Sequence, residues 1–121
     1  MFGRKRSGDD GLRANHQEFY RNCLIQIADL ESRTADWSGL KGEFAAVWSE
    51  SEDAASNEIT QKVALARRFA IDVESSLATA SIETAAKGLN LLQEIVDNAE
   101  HQLQGLLVGL VTAQSLRSAG P

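Results

Sequence analysis

The fold turns on residues 85–110, AAKGLNLLQEIVDNAEHQLQGLLVGL. Ala85, Leu89, Leu92, Val96, Ala99, Leu103, Leu106 and Leu110 follow one another at alternating steps of four and three. That spacing puts an apolar side chain on one side of a helix at every turn. A helix with such a seam must bury it against other helices. A second signal competes inside the same stretch. Lys87-Gly88-Leu89 has the form of a helix end: a cation in the last turn, a glycine free to take left-handed φ, then an apolar residue. Asn90 with Gln93 resembles a new capping box. A glycine within a helix costs only about 1 kcal/mol relative to alanine, so an unbroken helix from Ser51 to Leu116 is the alternative. The balance favours a turn at Gly88 and an all-α antiparallel bundle of three to four helices. A long helical hairpin or coiled coil is the second choice.

Upstream, Ile59, Val63, Ala66, Ala70, Val73, Leu77 and Ala80 keep the same steps of threes and fours. Ser49 followed by Glu52 reads as an N-cap with acid in the first turn, which suits the helix dipole. Before it, Asp36-Trp37-Ser38-Gly39 is rich in turn formers. Trp37 and Gly39 are therefore placed in a helix–helix turn, with Gly39 free for positive φ and Trp37 folded back on the helices. The first helix is expected over residues 12–35, with Tyr20, Cys23, Ile27 and Leu30 on its buried side. Residues 1–11 read as a flexible basic tail, 12–117 as one helical domain, and 118–121 as a frayed end. The only proline is the last residue, and alternation of period two is absent, so strands are not expected.

Composition narrows the functions. A net charge of −5 argues against a nucleic-acid binder with a dominant basic face. The one basic cluster is Arg4, Lys5 and Arg6. Cys23 is the lone cysteine, so no disulfide closes within the chain. A signal peptide is not expected, because residues 4–12 are polar where an apolar core would sit. A soluble, cytoplasmic protein is expected, with export by a route lacking a signal peptide left open. His16 and His101 are the only histidines. Asp97 lies one turn before His101, but position 98 is Asn, and a di-iron bundle needs two Glu-x-x-His pairs. No phosphate loop, nucleophile elbow or zinc spacing occurs. No catalytic residue, metal or cofactor is assigned.

Trp37-Ser38-Gly39, followed by Phe44 and Trp48, resembles the small helical-hairpin proteins of the WXG family over residues 30–55. The resemblance implies a secreted helical-hairpin dimer forming a four-helix bundle. The chain departs from that pattern in lacking Tyr-x-x-x-Asp/Glu after the turn.

The leading expectation is a non-enzymatic interaction or assembly protein that self-associates or docks on a partner's helices. Leu89, Leu92, Val96, Ala99, Leu103, Leu106 and Leu110 are the expected partner-helix interface. Gly105, Gly109 and Ala113, four apart, are the expected close-packing positions, since small residues let another backbone approach. The alternatives are the WXG-like dimer and a membrane-surface protein that combines Arg4–Arg6 with the apolar stretch 103–111.

Overall fold

The computed structural model of the chain describes residues 2–119, with side chains from Asp10 onward. Every described element is a helix: α1 (Phe2–Thr34), α2 (Ser38–Glu43), α3 (Glu50–Thr79) and α4 (Ile82–Ala119). The three long helices pack pairwise around one core. Cross-helix contacts give their directions. Arg13 meets Leu77, and the Tyr20 hydroxyl donates to the Ala70 carbonyl at 3.0 Å, so α1 and α3 run antiparallel. Val73 faces Gly88 and Lys62 faces Asn98, so α3 and α4 also run antiparallel. Gln93 donates to Gln26, and Arg33 pairs with Glu100, so α1 runs alongside α4. The fold is an up-down-up three-helix bundle.

The start of α3 follows from its sequence. Ser49 takes an extended conformation, its hydroxyl accepts from the Ser51 N–H at 3.3 Å, and the Glu52 carboxylate accepts from the Ser49 N–H at 3.0 Å. Glu50, Glu52 and Asp53 add charge that suits the helix N-terminus.

The end of α3 corrects the sequence reading. The chain turns at Ala80 and Ser81, and α4 passes unbroken through Gly88. Ala80 is extended, and Ser81 caps α4 by accepting from the Thr84 N–H at 3.2 Å. Serine and threonine hydroxyls compete with the helix backbone and favour such ends. Arg13 of α1 also donates to the carbonyls of Leu77 and Ala80, at 2.9 and 3.3 Å, satisfying the last turn of α3. Gly88 instead lies where α4 approaches Val73: a Cβ there would sit 3.5 Å from Val73 Cγ2.

The first connection is also corrected. Gly39 lies within α2, and no described glycine has positive φ. Trp37 precedes α2, packs against the core, and its Nε1–H donates to Thr60 Oγ1 at 2.9 Å. The expected helix start at Leu12 lies well inside α1, which begins at Phe2. No proline interrupts residues 2–11, and glycine slows helix growth without forbidding it. The side chains of Arg4, Lys5 and Arg6 lie outside the described residues, as do Gly120 and Pro121 at the expected frayed end.

The core holds Ile27, Leu30, Ile59, Leu89, Leu92 and Val96, each under 2% exposed. Full burial of such a side chain contributes about 1.5–3 kcal/mol. Ala66, Ala70, Ala85 and Ala99 are buried among them and let the helices close. Around the rim, Arg67 grips Glu31 with two nitrogens, at 3.0 and 2.6 Å. Arg33 reaches Glu100 on α4 and Asp29 on its own helix.

Candidate docking face

The residues expected to meet a partner helix are consumed inside the chain. Ala85, Leu89, Leu92, Val96, Ala99, Leu103 and Leu110 are all buried, and Leu106 is half-buried. With α1 reaching level with Glu100, the seam as far as Leu103 has its cover from α1 and α3, while Leu110 is buried beyond the end of α1 and lines a depression with Val47; any open docking surface lies elsewhere.

The free surface is the face of the α3/α4 hairpin turned away from α1. Arg67, Glu74 and Ala70 mark the side of α3 that touches α1. On the other side stand Glu58, Lys62, Leu65 and Phe69, each about one turn from the next. On α4 the matching positions are Leu91, Ile95, Asn98, Gln102, Gly105 and Gly109, again at steps of four and three. Leu65 and Leu91 remain 44% and 51% exposed, while Phe69 and Ile95 are half-buried against the core.

Three depressions lie end to end along this face. One of about 270 Å³ is lined by Lys62, Leu65, Glu94, Ile95 and Asn98. The next, about 210 Å³, is lined by Ala55, Glu58, Ile59, Gln102 and Leu106. The third, about 310 Å³, shares Ala55 and Leu106 and extends over Gly105, Gly109 and Ala113 to Val47 and Ser51. Together they form a groove spanning some 20 residues of α4, roughly 29 Å at the standard helical rise. Such a length and apolar lining suit a docked amphipathic helix.

Gly105, Gly109 and Ala113 floor this groove rather than pack against another helix of the same chain. A Cβ added at Gly105 or Gly109 would meet nothing within 4 Å. The close approach expected of these small residues is not made within the chain. Beside them, Gln102 Oε1 is buried and has no hydrogen-bond partner among the described residues. Such an atom costs about 1–3 kcal/mol if left dry. Beyond the groove, α4 runs on past the start of α3, leaving Val111 and Leu116 exposed by 55% and 70%.

The remaining reactive groups sit apart. Cys23 is fully buried, and burial raises its thiol pKa, with Asp97 adding to the rise. Its Sγ lies 3.4 Å from Gln93 Oε1, a contact that engages the thiol as a donor. A buried neutral thiol is a poor nucleophile. His101 shares an open hollow on α4 with Glu94, Asp97 and Asn98. Among the described residues no three His, Cys, Asp or Glu side chains are grouped to hold a metal ion. No described helix is long and apolar enough to cross a membrane.

The hairpin face was missed in the sequence because Leu65, Phe69, Leu91 and Ile95 sit beside the dominant seam and widen it. Their second stripe was legible as a repeat of sevens: Glu58 with Leu65, Leu91 with Asn98 and Gly105, Ile95 with Gln102 and Gly109. The chain matches no family model, no curated protein and no solved structure.

Proposed function

We propose that this chain is a non-enzymatic docking module that receives a helix in the groove between α3 and α4. The observation that supports this is the row of three depressions, the first holding Leu65 and Ile95 among polar side chains and the last floored by small residues. A helix laid there would cover Leu65 and Leu91 and complete a four-helix bundle. Bundles of four bury both faces of a helical hairpin, whereas three helices leave one face open.

A photo-cross-linking residue placed at Leu65 or Ala113 in cells that make the protein tests this reading. Ile71, 62% exposed on the outer side of α3, is the control position. Discrete adducts with protein from either groove position and none from Ile71 support docking. Equal adducts from all three, or none from the groove, overturn it.

The WXG resemblance implied a two-helix hairpin with Trp37 at its tip. Here Trp37 stands in the connection between α1 and α3, but α4 adds a third long helix on the hairpin. No feature of the groove favours that reading over a general docking module.

A further inference from the structure

We infer that the occupant of the two depressions between Gln102 and Ala113 is α4 of a second copy of this chain, lying antiparallel across the first with Gly109 at the two-fold axis; its end at Ala119 falls level with Ala99, so Leu65 and Ile95 stay outside the contact. The inference rests on the docking reading above and names its partner. Three features support a second copy over a foreign helix.

The first is charge. The chain carries −5 overall, yet no charged residue occurs from Gln102 to Leu116. Two copies can therefore meet along this segment without bringing like charges together, which would otherwise oppose association. The second is shape. A two-fold interface uses the same patch twice, so the patch must fit itself. About Gly109, an antiparallel pairing sets Gly105 against Ala113 and Gln102 against Leu116. Small residues meet small residues, and the backbones can approach closely.

The third is the match between an exposed knob and an open hole. Leu116 is 70% exposed and lies on the same stripe as Gln102 and Gly109, seven residues apart each time. The pairing carries Leu116 of one copy to the depression of Ala55, Ile59 and Leu106 on the other. Arg117 follows it to the level of His101, with the Glu58 and Asp97 carboxylates of the other copy on neighbouring turns. That places guanidinium donors within a turn of Gln102 Oε1, the buried acceptor that lacks a partner.

The test is solution mass and cross-linking register on the full chain. Light scattering should give twice the chain mass at tens of micromolar. Gly109→Leu, which favours helix and finds open space within the chain, should return a single chain mass with unchanged helical circular dichroism. In a Cys23→Ala background, Gly109→Cys should form a disulfide-linked dimer on mild oxidation. Gly105→Cys and Ala113→Cys chains should link when mixed, and each far less when alone. A strict monomer, a dimer indifferent to Gly109→Leu, or links that ignore this register would overturn the second-copy assignment. Should the chain be monomeric while Leu65 and Ala113 still cross-link to another protein, the docking reading stands and only this inference falls.

Discussion

Two halves of α4 are both rich in apolar side chains and meet different fates. From Ala85 to Leu103 the seam is closed by α1 and α3, and every seam side chain is buried. From Leu106 onward α1 has ended and α3 is at its first turns; Leu110 on the seam is still buried, but beside the seam Val108, Val111 and Leu116 stand in solvent. The seam itself ends at Leu110, its next positions being Ala113 and Arg117, while the apolar character of the helix runs on. What differs is the length of the neighbours. An apolar stripe states a need for cover, and only the extent of the other helices shows where that need is unmet.

The largest expected effect lies in the closed half. Leu92→Ala empties a side chain with no exposure, and should cost about 2–5 kcal/mol in urea unfolding. The same leucine-to-alanine change at an exposed site in the open half, Leu116→Ala, should alter the unfolding of dilute chain by no more than about 0.5 kcal/mol. Equal losses at both sites would erase the distinction between the halves.

Caps come next. Ser81→Ala removes the acceptor for the Thr84 N–H, and should cost about 1 kcal/mol in thermal melts. The glycines should respond in the opposite sense. Gly88→Ala exchanges a helical glycine for alanine where the new methyl touches Val73 at ordinary distance, and should stabilise by up to about 1 kcal/mol. Gly105→Ala should gain a similar amount in dilute chain. A loss at Gly88 would show that Val73 cannot yield.

The smallest effect is the rim of ion pairs that tie α1 to the closed half. The Arg67 guanidinium lowers the Glu31 carboxyl pKa, and Arg33 lowers that of Glu100. A carboxyl whose folded pKa is depressed adds stability above its unfolded value, about 4.3 for glutamate. That stability is lost as pH falls through the lowered folded value. Both members of the Arg67–Glu31 pair are about 40% exposed, so solvent screening holds the gain to about 1 kcal/mol or less. Arg67→Met should therefore lower the melting temperature slightly at pH 7, and the difference from the parent chain should shrink in strong acid.

Much of the bundle was legible in the sequence. The seams on α1, α3 and α4 were read residue by residue, and the Ser49–Glu52 capping box was recognised from its spacing. The turn was misplaced by seven residues because Gly88 carries a strong local signal, whereas Ser81 has only one hydroxyl to offer. The turn at Ala80 and Ser81 is held by the Ser81 cap and by Arg13 on the Leu77 and Ala80 carbonyls, while Gly88 stays helical with room for a methyl beside Val73. The docking face was less legible. Which side of α3 and α4 stays open depends on where α1 lies, and no residue of that hairpin states it. The small residues Gly105, Gly109 and Ala113 were found, but the absence of a neighbour above them is visible only in three dimensions.

The connection at Ala80 and Ser81 is so short that α3 and α4 can pair as soon as both exist, by contacts local in the chain. Synthesis proceeds from the other end, and α1 leaves the ribosome before α4 is made. Its stripe of Tyr20, Cys23, Ile27 and Leu30 must wait, unburied, for a hairpin still being translated. Cys23 records that delay: on stalled chains its thiol should react readily until α4 has emerged, and then fall silent.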